Sequence, residues 1–459
     1  MSYSNYNQYL GAAKCCNINK LGAQGAIGPQ GPQGAIGPPG TGPQGATGSQ
    51  GATGSFSPLA TTWAQTLNWN DVSGFWQITG DGPLALANYA GQTSQGTAAI
   101  AIGIEAGRNN QQSGAIAIGY QAGNVSQGIN SIALGEQTGF TGQNSGAIAI
   151  GYQTGYYMQA SQTVAIGFQA GVTSQGASSV AIGTSAGEYS QGNNTVAIGT
   201  GAGQTLQNAN SVAIGNGAGA SNQGLFSVAI GMSAGNTSQG ASSVAIGVFA
   251  GFNSQGGQSV AIGTGAGQNL QSGSSVAIGI NSGNSAQGAQ SVALGYACGQ
   301  VSQGANSIAI GLSAGNSQQY DFAIALGANA APNNQGTYSI AIGYNAAQNN
   351  QGSNSIAIGN SAGLSDQPSN TIILNATGST LNVSTQSATY IAPIRTTNAN
   401  AAAHPAIMYD TTNKELFGLT TKTFVIEHPI HKNKYLVHAC LEGPEGGIYY
   451  RGESEIVNN

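Results

Sequence analysis

Charge is the scarcest property of this chain: 9 Lys and Arg and 14 Asp and Glu in 459 residues, about 5 per cent, against the roughly 25 per cent usual in globular proteins. That scarcity argues against an ordinary soluble enzyme. The formal net charge is only -5, so there is no basic footprint for nucleic acid or for an anionic membrane surface, and neither is expected as a partner. No apolar run reaches the length of a membrane-spanning helix, which excludes insertion by that route. The first 20 residues are rich in Tyr and Asn and lack an apolar core, so no Sec-type signal peptide is expected there. Cysteine is limited to Cys15, Cys16, Cys298 and Cys440, too few for a disulfide scaffold. Histidine is absent before His404.

Glycine is abundant, with 74 residues, and its spacing explains the excess. It recurs every third residue from Gly22 to Gly40, slips by one across Thr41, and resumes from Gly42 to Gly54. Only glycine fits the crowded axis of three polyproline-like chains, so this spacing predicts a collagen triple helix over 22–56, a rod of order 100 Å. Proline stands mainly in the X position (Pro29, Pro32, Pro38, Pro43), and only Pro39 occupies Y. So Pro-poor a helix needs its neighbours to hold register. Cys15 and Cys16, in the tail 1–21, are placed to cross-link three chains, or remain reduced thiols if the protein is made in a reducing compartment.

All three tryptophans, Trp63, Trp69 and Trp76, fall in the segment 57–83. Two readings apply: a plug covering the end of the repeat array, or a carbohydrate-binding patch.

The glycine that closes the motif (I/V)-A-(I/L)-G stands at Gly103 and at every sixteenth position to Gly359, 17 matches without an insertion. In Val180-Ala181-Ile182 bulky and small residues alternate with the period of a strand. This predicts one coil of a parallel β-solenoid per 16 residues over 84–375, about 18 coils, with Val180 and Ile182 buried in the coil and the Ala face open to neighbouring chains. Ser190-Gln191-Gly192 reads as the return turn, so that two short strands and two turns make one coil. A single coil cannot offset its own ordering entropy, so only a stacked array is stable.

Glutamine occupies one column throughout: Gln95, Gln127, Gln175, Gln191, Gln239, Gln287, Gln303, Gln335, Gln351 and the members between them to Gln367, 18 of 18 positions. Stacked amides form a ladder along such a column; the functional alternative is an exposed stripe that binds ice or glycan.

Chemistry-bearing constellations are missing from the array. Its charges, Glu105, Arg108, Glu136, Glu188, Asp321 and Asp366, share no single column, and the aspartates of calcium-binding solenoids are absent. Strings such as Gly263-Thr264-Gly265-Ala266-Gly267 imitate a dinucleotide loop, but no helix follows. No cofactor and no metal is expected.

Beyond 375 the composition changes: 13 of the 23 charges and all four histidines lie from Arg395 onward. A connector (376–420) and a small β-rich C-terminal module (421–459) are expected, with strand-like runs over 422–429 and 435–442. His438 and Cys440 would share one face of a strand, but no third orienting group accompanies them, so a packed strand is expected rather than a nucleophile. His428, His431, His438 and Cys440 lack any standard zinc spacing.

Three parts of the chain resemble known families. The segment 22–56 resembles collagen-like stalks. The Ser-Val-Ala-Ile-Gly coils resemble the head repeats of YadA-type trimeric autotransporter adhesins, which implies a homotrimer of left-handed parallel β-rolls; those repeats are usually nearer 14 residues than 16, and the signal peptide and membrane anchor of the bacterial proteins have no counterpart here. The stretches Thr371 to Gly378, Ala392 to Arg395, Met408 to Asp410, Lys422 to Pro429, His438 to Glu445 and Tyr449 to Gly452 are similar to the C-terminal module of fibre-like proteins of large DNA viruses and phages. In those relatives the module continues further, so it is expected to be incomplete here. The resemblances imply an all-β, homotrimeric structural fibre of a virion surface or virus-encoded layer, with host attachment through a host-surface glycan or receptor. Two other classes remain open: a cell-surface adhesin binding glycans through the solenoid or its Trp-rich cap, and an enzymatic or self-processing C-terminus.

Overall fold

The computed structural model describes residues 82–395, 406–419 and Ile430, together with the backbone of four further strands, Thr66–Asn70, Phe75–Thr79, Thr423–Glu427 and Tyr435–Ala439. The collagen-like segment, Cys15, Cys16 and Trp63 lie outside the described residues, and Cys440 with them.

The described residues form strands and turns with no helix. From Leu84 the chain winds into about nineteen coils of about 16 residues. Each contributes a strand such as Val180–Ile182 to one parallel ladder and a strand such as Tyr189–Gln191 to a second. Registry is one coil per step: Val180 pairs Val196, Ala181 pairs Ala197 and Ile182 pairs Ile198. In the second ladder Tyr189 pairs Thr205 and Gln191 pairs Gln207, and the residue between does not pair. That residue, Ser190, lies at φ 57°. This left-handed kink turns a three-residue strand into a corner and explains why the Ser-Gln-Gly string imitates a turn in the sequence. The two turns of the coil flank this strand, one over Thr184 to Gly187, where Ser185 and Gly187 have φ of 53° and 52°, and the other at Asn193-Asn194, where Asn194 has φ 56°.

The faces of the first strand are opposite to the expectation. Ala181 is buried and Val180 and Ile182 are half-buried, a pattern kept along the ladder. The reason is thickness. The coil interior is filled by Ala181, Ala186, Ser179 and Gln191, all buried, and a space one alanine and one extended amide wide has no room for a second layer of branched side chains. Val and Ile therefore point outward, in register with their equivalents one coil above and below.

The closing glycine fixes the close approach between coils. Gly231 has φ 125°, and a Cβ there would sit 2.7 Å from the carbonyl oxygen of Gly247 in the next coil. An L side chain is excluded both by conformation and by space.

The first ladder runs one coil past residue 375, because Thr389–Ala392 pairs in parallel with Ile372–Asn375. In the coil before it the motif alanine is replaced by the buried Ile373, and in the last coil by Tyr390, which with Leu381 and Val383 packs against the buried cluster containing Ile373. The Ala-Gly signature that marks the other coils is thereby lost. Beyond it come two antiparallel hairpins, Ala406–Asp410 with Glu415–Leu419 and Thr423–Glu427 with Tyr435–Ala439.

Candidate functional site

The glutamine column lies inside the coil, between the two ladders. Gln111 donates from Nε2 to the carbonyl oxygen of Ile100 at 2.8 Å and to Oε1 of Gln127 at 3.0 Å. The first bond ties the second ladder to the first within a coil; the other ties one coil to the next. Each column member from Gln95 to Gln367 makes the first kind of bond, as Gln191 does to Val180 and Gln335 to Ile324. Twelve of the 17 coil-to-coil amide bonds form. Where the chain of bonds is interrupted, the oxygens of Gln143, Gln191, Gln223, Gln239 and Gln271 are buried without a partner. An amide in this position is screened from solvent by the coil itself, so it offers no surface to ice or glycan. A second, shorter run of amides lies nearer the surface, in the opposite sense, from Gln169 through Gln153, Gln137 and Gln121 to the carboxylate of Glu105.

Outward, the solenoid presents two unlike faces. The first ladder exposes two branched apolar residues per coil as a continuous stripe, with Ile230 36% and Leu294 41% exposed. Beside it, in the position after the closing glycine, stand Tyr120, Tyr152, Phe168, Met232, Tyr296 and Tyr344, each exposed, and Tyr152 stacks on Phe168 with ring centroids 5.4 Å apart. Isolated exposed apolar residues are ordinary, but a contiguous stripe of this length marks an interaction surface. The face of the second ladder carries mostly Thr, Ser and Asn, such as Thr237-Ser238 and Asn349-Asn350, with scattered exposed Tyr157, Met158, Tyr189, Leu206 and Leu270 among them. Sequence reasoning missed the apolar stripe because strand alternation identifies two faces without saying which one is inside; the signal that decides it is the short 16-residue coil.

Trp69 and Trp76 pair with each other across the antiparallel strands Thr66–Asn70 and Phe75–Thr79. His438 pairs with Phe424 in the last hairpin, while His428, His431 and Cys440 lie outside the described residues. Among the described residues no group of three His, Cys, Asp or Glu side chains is placed to hold a metal. Cys298 is buried in the column that Ala186 occupies, and burial pushes its thiol up to about 12. Glu188 is buried and accepts from Nε2 of Gln204 at 2.8 Å, and its hydrogen bond and charge push the neighbouring Tyr189 phenol above its ordinary value.

No curated protein and no solved structure matches the chain. Two stretches of the solenoid, residues 207–234 and 335–347, match the YadA head domain repeat, so the coils are similar to the repeats of adhesin-like, fibrous surface proteins.

Proposed function

We propose that the chain is the protomer of a homotrimeric structural fibre, standing on a virion surface or in a virus-encoded fibrous layer and serving in host attachment. The observation that carries the reading is the Val and Ile stripe. A surface that repeats once per coil along some 18 coils is matched over its whole length only by a surface of the same rise, and a second and third copy of the same solenoid in parallel have that rise by construction. Covering the half-exposed part of each Val or Ile removes enough apolar area for roughly 1 kcal/mol per side chain, and the sum along the array exceeds the entropic cost of association. The collagen-like spacing of 22–56 requires three chains independently. The likeness to YadA head repeats supports a surface-exposed, adhesin-like role, and the C-terminal similarity to viral fibre proteins supports the virion setting. The paucity of charge and of paired titratable groups supports a non-enzymatic role. In this reading the glutamine column is a structural element.

Sedimentation equilibrium of the full chain tests the reading. The expected mass is three times the 45.5 kDa of one chain; a single-chain mass at micromolar concentration contradicts it. Recovery of the protein in purified virions tests the setting. A second reading, a cell-surface adhesin that binds glycan, is favoured by the polar and aromatic features of the face opposite the stripe.

A further inference from the structure

On that opposite face, one column singles out a coil near the C-terminal end. The position after each column glutamine is a small residue or a short amide in nearly every coil: Gly288, Gly304, Gly336 and Gly352 lie there in successive turns of the array. Tyr320 interrupts the run. It is 53% exposed and, with Gly336 and Gly352 beside it, lines an open groove of about 390 Å³. The other side of the groove is a row of polar side chains one coil apart. Asn334 donates from Nδ2 to Oδ1 of Asn350 at 3.0 Å, and Asn350 donates to Oδ1 of Asp366 at 2.8 Å. The row fixes the orientation of each amide and leaves Oδ1 of Asn334 and Oδ2 of Asp366, both residues of the groove lining, as acceptors not used within the row. From Tyr320 to the coil of Asp366 is about three strand spacings, roughly 14 Å.

We infer that this groove binds a short neutral saccharide, of two or three sugar units, in each protomer. The chemistry is complementary to that class. An exposed aromatic ring covers the C–H face of a pyranose, and oriented acceptors one coil apart receive its hydroxyl protons. No Lys, Arg or His lines the groove, and Asp366 carries negative charge into it, so acidic sugars and sulfated glycans are disfavoured. A volume of about 390 Å³ lies within the range of small-ligand sites. Access survives assembly: the column glutamines lie between the ladders and reach the carbonyls of the first ladder from the second, so the groove and the Val and Ile stripe are on opposite sides of the solenoid. A trimer sealed along the stripe displays three grooves outward. The inference rests on the adhesin reading and deepens it by giving the ligand class and its place.

Saturation-transfer NMR on the intact full-length protein tests it, with lactose, cellobiose and N,N′-diacetylchitobiose as probes and 3′-sialyllactose as the charged comparator. Transfer to ring C–H protons of at least one neutral disaccharide is expected, and titration of that sugar should show at least tenfold weaker binding in Tyr320→Gly. Glycine stands at the same position in the coils on either side, Gly304 and Gly336, so the substitution leaves the fold intact. Asp366→Ala should weaken the same sugar, and alanine is tolerated there because Ala286 holds the equivalent left-handed position at φ 57°. Tyr189→Ser, on another coil of the same face, should bind as the wild type. Transfer to none of the neutral disaccharides, preference for 3′-sialyllactose, or undiminished binding in both groove variants overturns the proposal. Binding on the fibre that neither variant diminishes removes this groove while leaving the adhesin reading in place; absence of any sugar binding by a trimeric wild type removes the glycan ligand while leaving the fibre.

Discussion

At the scale of single residues, the amide column predicts graded losses. Gln335 is linked on both sides, accepting from Gln319 at 2.9 Å and donating to Gln351 at 3.1 Å. Gln239 donates to Gln255 but its own oxygen is unpartnered. Gln335→Leu should therefore cost more than Gln239→Leu, each within about 1 to 3 kcal/mol per chain. Hydrogen exchange should quicken in the flanking coils alone, Val228–Ile230 and Val244–Ile246 for Gln239. Equal stability of both variants with the wild type would remove the column from the account of stability. Cys298, with a thiol pushed up to about 12 by burial, is almost wholly protonated at pH 8. In a variant with Cys15, Cys16 and Cys440 replaced by serine it should resist a thiol reagent until the protein unfolds, and Cys298→Ala should be nearly silent. In the hairpin Ala406–Asp410 with Glu415–Leu419, the backbone N–H groups of Asn413 and Thr412 hold the Asp410 carboxyl below its ordinary 3.8. Its contribution is complete above about pH 4 and is lost as pH falls through the depressed value, a change readable in the Thr412 amide resonance and absent in Asp410→Asn.

At the scale of the coil, the closing glycine and the repeat length dominate. Gly231→Ala places a Cβ against the carbonyl of Gly247 in a left-handed conformation, so it should destabilise far more than Ser238→Ala on the second ladder. Deleting 227–242 removes one whole coil and should leave a folded, shorter array, because each repeat touches only its neighbours; deleting half of it should lower the melting temperature sharply. The array was legible in the sequence because an unbroken period leaves no alternative to stacking. Which residues face inward was not. Val180 and Ile182 are the branched aliphatic residues of the coil and composition alone sends them to a core, but the interior is already filled by Ala181, Ala186 and Gln191. A second strand per coil was expected but not at Tyr189–Gln191, since Ser190 in its middle has a turn-like backbone. The last coil, beyond the expected end at 375, escaped because Tyr390 takes the alanine position there. The glutamine column was visible as a position that never varies, whereas the Tyr320 groove needs three consecutive coils brought side by side.

At the scale of the whole molecule, the coil interior is alanine, serine, glycine and amide, and the large aliphatic side chains lie on the outside. A single solenoid of this kind leaves most of its hydrophobic driving force unused, which makes association part of folding rather than an addition to it. Val244→Asp with Ile246→Asp places two charges per chain on the stripe and should lower the assembled mass or abolish folding at ordinary concentrations, while Thr237→Asp on the opposite face should change neither. The measurement that tests the central claim most directly is electron cryomicroscopy of the full-length protein viewed down the solenoid axis. The account predicts three coils around a three-fold axis, with Val244 and Ile246 turned toward that axis and Thr237 and Tyr320 turned to solvent. An isolated solenoid, or a trimer with Val244 and Ile246 on its outer surface, would contradict it.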